Sequence, residues 1–251
     1  MEKCIGIILS AARYSETSKI VSLLTAEHGK LSAMAKGAMR KGSPLAGVLE
    51  PFALCECVLY IKKNREMQTL TACSLLEFFG RIREDGKLIA AAQAGLELVR
   101  RTVHDGEPVP RVFELLRAYL MRLDKNAGAP AGQVEKLIWR FMLHYLKVMG
   151  FAPVLHACVR CGEKSERTRV MVSPLAGGMV CERCGAGVQD GRFVPGAALR
   201  EMNALFRCGQ AEVEGLELGH REVLGDLVLG LLSTHFEQDM RLNSLEVFYK
   251  L

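Results

Sequence analysis

Cys158-Val159-Arg160-Cys161-Gly162 and Cys181-Glu182-Arg183-Cys184-Gly185 decide how the second half of this chain folds. Nineteen residues separate Cys161 from Cys181. Within each CxxC a tight turn brings two thiolates toward one point, and two such pairs at this separation match a Cys4 metal site. The expected ion is one structural Zn²⁺ per chain, held by Cys158, Cys161, Cys181 and Cys184, since four thiolates leave no position open for chemistry. A glycine after each second cysteine permits backbone angles closed to residues with a Cβ. Between the pairs, Arg169–Ser173 and Gly178–Cys181 are expected as ribbon strands turning at Pro174–Gly177. A thioredoxin-type redox site would show a single CxxC at a helix start. His156 stands two residues before Cys158, but four cysteines already complete the set.

Four thiolates and one Zn²⁺ contribute −2, which takes the formal charge from +5 to +3. Arg160, Lys164, Arg167, Arg169 and Arg183 lie in or beside the ribbon. Two roles are open to them: neutralising the thiolate cluster, or adding a phosphate-contacting surface. Cys4, Cys55, Cys57, Cys73 and Cys208 are expected to be buried and apolar in behaviour.

Moving outward, helices flank the ribbon. Leu88, Ile89, Ala92, Leu96, Val99 and Val103 recur at helical spacing, up to the breaker Asp105-Gly106-Glu107-Pro108. Val112, Phe113, Leu116, Tyr119, Leu120 and Leu123 mark a second helix, with Pro110 in its first turn. Val134, Leu137, Ile138, Phe141, Met142, Tyr145 and Leu146 mark a third, ended by Gly150 and Pro153. Beyond the ribbon, helices are expected over about 195–206 and 220–239.

Residues 1–80 have a different period. Apolar stretches of strand length run over Cys4–Ala12, Lys19–Thr25, Lys30–Lys36, Phe52–Lys62 and Met67–Cys73, separated by turn signals at 14–18, 27–29 and 37–51. Five short strands favour a closed barrel, which removes exposed edges; an OB-fold is the economical choice, although the count alone also fits an SH3-like barrel. The expected architecture is α+β: an OB-fold DNA-binding domain (1–80), a helical domain in two parts (81–153 and 191–251), and an inserted Cys4 zinc ribbon (154–190).

Charge is unevenly spread. Net charge is +3 over 1–80, +4 over 81–152, +2 over 153–194 and −4 over 195–251. An anionic partner is therefore drawn to the first three segments. The run Lys36-Gly37-Ala38-Met39-Arg40-Lys41-Gly42-Ser43 follows an alternating strand and reads as a mobile basic loop that tracks phosphates without reading bases. Lys36, Arg40 and Lys41 are the leading nucleic-acid candidates, then Arg13 and Lys19. Lys30 and the turn Lys62-Lys63-Asn64-Arg65 would extend the surface. Tyr14, Phe52, Tyr60, Phe78 and Phe79 are the few aromatics available for stacking, and Phe52 and Tyr60 are also core candidates.

No Walker loop, GxSxG, HExxH or GxGxxG occurs, and the six histidines form no ligand or triad pattern, so a binding protein is expected, not an enzyme. Met1–Leu9 lacks the features of a secretory signal, and no apolar run reaches the roughly 20 residues of a membrane span. A cytoplasmic protein with no membrane partner is expected.

Arg13-Tyr14-Ser15-Glu16-Thr17-Ser18-Lys19-Ile20-Val21 resembles the N-terminal signature of the RecO family. The resemblance continues through 25–31, Ala35-Lys36-Gly37-Ala38 and Leu49-Glu50-Pro51-Phe52. It resumes at Gly150-Phe151-Ala152-Pro153, the first CxxCG and Ser173-Pro174-Leu175-Ala176-Gly177-Gly178. It implies a DNA-repair mediator of the RecF pathway that binds single- and double-stranded DNA and anneals complementary strands. With RecR as partner, such a mediator helps recombinase replace single-stranded-DNA-binding protein, without nucleotide hydrolysis. Nucleoid association when bound to DNA follows from this. The acidic, apolar tail of single-stranded-DNA-binding protein is expected on the helical domain, with Arg100, Arg101, Arg117, Arg122 and Arg140 as rim candidates. The residues alone also allow an RNA- or ribosome-associated OB-fold/ribbon module and, more weakly, a thiol oxidoreductase.

Overall fold

In the N-terminal barrel, one strand, β3 (Gly29–Ala35), strictly alternates buried with half-buried residues, the period-two pattern of a strand with one face in a core. With β1 (Glu2–Arg13), β2 (Lys19–Thr25), β4 (Leu54–Tyr60) and β5 (Met67–Glu77) it closes a barrel of order β1-β2-β3-β5-β4. The β3–β5 pairing is parallel, Ser32 opposite Met67 through Ala35 opposite Leu70, and the other pairings are antiparallel. This is the OB-fold arrangement. The computed structural model describes residues 1–62, 65–165 and 167–251. Lys63 and Asn64 of the expected basic turn lie outside the described residues.

Strand ends differ from the sequence expectation for local reasons. β4 begins at Leu54 because Phe52 takes φ 72°, a left-handed conformation that cannot continue a strand. The connection 37–51 is a chain of tight turns. Arg40 N–H donates to Gly37 O, Ser43 N–H to Arg40 O and Ala46 N–H to Ser43 O. Ala38, Leu45 and Leu49 from this segment are buried in the barrel core with Ile8, Val21, Leu23 and Leu59. The segment is therefore pinned, in contrast to the mobile loop expected. Tyr60 is 44% exposed and so is not core, whereas Phe52 is buried. Cys57 and Cys73 are cross-strand partners with sulfurs 3.6 Å apart.

Two compact units emerge: residues 1–129 with 242–251, and residues 130–241. In the first, the barrel is joined by α1 (Gly86–Thr102), α2 (Pro110–Lys125) and α7 (Asn243–Lys250). Asp85 caps α1 by accepting from Lys87 N–H and Leu88 N–H, satisfying donors the helix cannot. The buried Tyr119 hydroxyl of α2 donates to Ala91 O of α1 at 2.8 Å. No sequence stripe marked α7. Its N-terminus is held by the buried carboxylate of Glu97, which accepts from Asn243 N–H, Ser244 N–H and the Ser244 hydroxyl.

The second unit contains α3 (Ala131–Val148), the ribbon with its short α4 (Glu182–Gly185), α5 (Gly196–Arg207) and α6 (Arg221–His235). Trp139 and Tyr145 of α3 are buried. Gly225 admits the indole: a Cβ there would meet Trp139 Cζ2 at 2.8 Å. α6 stops at His235, short of the expected 239, and Glu237 follows at φ 51°. Cys208 is half-buried, not buried as expected. Among the described residues no helix is long and apolar enough to cross a membrane.

Candidate metal centre and nucleic-acid surface

The ribbon is a three-stranded sheet, β7-β6-β8, with β6 at Arg169–Ser173, β7 at Gly178–Val180 and β8 at Arg192–Pro195. The first two match the expected strands; the third, four residues ending in proline, gave too short a signal. The Ser173 hydroxyl donates to Asp190, whose carboxylate also accepts from Leu175 N–H, so the turn between β6 and β7 is fixed. The first knuckle is stitched to β7 by Val159 N–H donating to Met179 O at 2.9 Å.

These contacts bring Cys158, Cys161, Cys181 and Cys184 together with their sulfurs all within 4.8 Å of one another. Cys161 and Cys181 sulfurs are 3.6 Å apart. A tetrahedral ion with Zn–S near 2.3 Å needs sulfurs roughly 3.8 Å apart, so the cluster has the right size for a metal ion. Burial raises the Cys158 thiol, but backbone N–H groups of Cys181, Cys161 and Arg160 outweigh it and lower the pKa to about 6. Hydrogen bonds to Cys161 and Cys181 push Cys184 up to about 12. Four adjacent sulfurs cannot all ionise without a cation, and a bound metal removes that conflict by displacing protons.

The two trailing glycines serve different ends. Gly162 has φ 74°, the conformation expected of it. Gly185 does not have positive φ; its missing Cβ makes room for Met171, whose Sδ would lie 3.0 Å away. The ribbon cations are largely engaged. Arg160 donates to Cys184 O at 2.7 Å. Arg183 lies against the Cys161 sulfur and 3.6 Å from Glu163. Arg167 pairs with Glu182, and Arg169 lies over the Phe193 ring.

At the barrel, register assembles part of the second candidate site. Arg13 at the end of β1 pairs directly with Lys19 at the start of β2, and Lys19 pairs with Ala35, next to Lys36. Met39 N–H donates to Thr17 O and ties the following turns to the β1–β2 hairpin. Arg13, Lys36, Arg40 and Lys41 are exposed. Lys19 is instead committed to Glu50 at 2.9 Å. Lys30 does not join them. Near the start of β3, with Lys36 just beyond the far end of that strand and so roughly 20 Å away at about 3.3 Å per residue, it donates to Arg100 O and pairs with Asp105. Lys62 and Arg65 share a groove with Lys30, Glu2, Glu27, Glu66 and Asp105, a mixed surface with no cationic excess among the described residues.

Of the helical arginines, Arg140 is excluded from any rim: it is buried and donates to Leu205 O at 2.6 Å. Arg101 pairs with Glu97 and Arg117 with Glu114. Arg83, which no basic run marked, packs against Phe52 and Phe78.

Fold and site define an OB-barrel protein whose helices carry an inserted Cys4 ribbon able to hold a metal ion. The family model described as Recombination protein O N terminal matches residues 1–79, and that described as Recombination protein O C terminal matches residues 83–246. The chain is 37% identical over 196 residues to the DNA repair protein RecO of Anaeromyxobacter sp. (strain K), covering 78% of this chain and 74% of that one. It is 29% identical over 246 residues to the DNA repair protein RecO of Geobacter sulfurreducens, covering 97% and 95%. The Bacillus pumilus DNA repair protein RecO is 34% identical over 179 residues, 71% and 66% of the two chains. This chain belongs to the RecO family of DNA-repair and recombination proteins.

Proposed function

We propose that this protein is a non-enzymatic recombination mediator. It binds single- and double-stranded DNA, anneals complementary strands and acts with RecR to help recombinase load onto DNA coated by single-stranded-DNA-binding protein. The observation that carries the DNA-binding part is the cationic end of the barrel, where cross-strand register and a pinned turn segment gather the exposed Arg13, Lys36, Arg40 and Lys41 around Lys19, which is paired with Glu50. Exposed cations on a rigid scaffold bind phosphates of any sequence. Annealing needs that property, because base-specific contacts would oppose pairing.

The Cys4 cluster holds one Zn²⁺ in a structural role. The tail of single-stranded-DNA-binding protein docks on the helices, with Arg100, Arg101, Arg117 and Arg122 as remaining rim candidates; its carboxylates need cations beside an apolar groove. The deciding experiment is strand annealing of DNA coated with the cognate single-stranded-DNA-binding protein. Annealing faster than the spontaneous rate, without added nucleotide, is expected. No acceleration on coated DNA, or selective binding of RNA over DNA, would overturn the proposal.

A further inference from the structure

Phe78 is 40% exposed just beyond the last barrel strand. The Arg83 guanidinium lies over its ring, with Cζ 4.0 Å from the centroid. The same guanidinium is 5.3 Å from the buried Phe52 ring. It is fixed there by two donations, Nη2 to Pro51 O at 2.7 Å and Nε to Phe78 O at 3.1 Å.

The backbone around this ring is strained. Phe52 has φ 72° and Phe79 has φ 50°; only one other non-glycine residue among those described, Glu237, has positive φ. Bulky residues rarely adopt this conformation, and such outliers gather where a side chain must be aimed. Here the result is that Phe79 enters the core while its neighbour Phe78 stays outside. Barrel closure does not require this, since β5 ends at Glu77.

The ring is linked to the cationic end of the barrel through Arg83, Pro51 and Glu50. Glu50 accepts from Lys19 and immediately precedes Pro51, whose carbonyl holds Arg83. Arg81 is exposed in the same turn as Arg83. Glu50 is paired with Lys19, and Glu77 and Glu84 flank the ring in sequence, so the margin around the exposed ring is mixed, with Arg81 and Arg83 as its own cations. An aromatic face beside cations fits an unpaired base next to its phosphate: every base has a π-face, so stacking tolerates any sequence, and duplex bases are already stacked on each other. A ring already backed by a fixed guanidinium is held ready for that stack.

We propose that Phe78, backed by Arg83, is a base-stacking platform for unpaired nucleotides leaving the cationic end of the barrel. It makes this margin selective for single strands. The inference rests on the DNA-binding reading given above.

The test uses the full chain and three fluorescent oligonucleotides of equal length: a mixed-sequence single strand, a fully abasic single strand and a blunt duplex. Phe78→Ala should weaken binding to the base-bearing single strand about five- to hundredfold. Its affinity for the abasic strand and the duplex, and its salt slope, should not change. Phe78→Trp should restore single-strand affinity. Equal losses on all three ligands, or no loss on any, would overturn the platform. Unchanged DNA binding with lost capture of the cognate single-stranded-DNA-binding protein would make Phe78 a protein contact and overturn it too. Wild-type protein that binds none of the three ligands would refute the DNA-binding reading itself, a different failure from a platform that is merely inert.

Discussion

At Cys161, a serine would replace the thiolate with a poorly ionised hydroxyl and leave three sulfurs around a site sized for four. Because ligation and ribbon folding are coupled, Cys161→Ser should lower metal content below one ion per chain and loosen the ribbon. Metal analysis and proteolysis across 154–190 read both effects; a full complement of metal with an unchanged ribbon contradicts the Cys4 assignment. Residue identity alone was enough to select these four cysteines from nine, because their spacing recurs. It did not reveal the distinct jobs of Gly162 and Gly185, since one answers to its own φ and the other to the thioether of Met171, fourteen residues earlier.

At the scale of elements, the segment between β3 and β4 presents Lys36, Arg40 and Lys41 on turns pinned by Ala38, Leu45 and Leu49. Converting the three cations to alanine should spare the fold, since all three are exposed. DNA affinity should fall for every sequence, and the salt slope should drop by up to about 2, at roughly 0.7 per phosphate on single strands. An unaltered slope in a salt titration would move the phosphate path elsewhere. α7 makes a second element-scale case. Glu97→Ala removes the carboxylate that satisfies Asn243 N–H and Ser244 N–H. Loss of a cap costs about 0.5–2 kcal/mol, so amide exchange at 243–246 should accelerate and the melting temperature should fall. Protection equal to wild type would show that apolar contacts of Leu245 and Phe248 hold α7 without the cap.

For the whole molecule, the two compact units are joined through the exposed connection around 127–130 and the residues about 237–241. Cleavage concentrates where exposed backbone makes few contacts. Met240 is buried and its N–H donates to Ser233, so limited proteolysis should cut first in the 127–130 connection and release a fragment that keeps the barrel together with α1 and α2. Mass spectrometry of the first products checks for the cut at 127–130; a first cut between Glu77 and Gly86 would mean the barrel is held apart from its helices. Only contacts remote in sequence sort the helices this way: α1 and α2 belong with the barrel, and α3 with the ribbon.

What the sequence determined by itself was whatever short-range chemistry encodes. Apolar stretches of strand length between turn signals marked five strands, helical stripes marked α1, α2, α3, α5 and α6, and repeated CxxCG units marked the four sulfurs. The tertiary structure alone decided the rest. Parallel closure of β3 on β5 selected the OB-fold over another five-stranded barrel, because strand count carries no information on order. Ion pairs engage Lys19 with Glu50 and Lys30 with Asp105, and burial removed Arg140 from the rim expected to receive the tail of single-stranded-DNA-binding protein. A lysine or arginine looks the same in a sequence whether it faces water or a carbonyl, since its partner lies tens of residues away and is set by the fold.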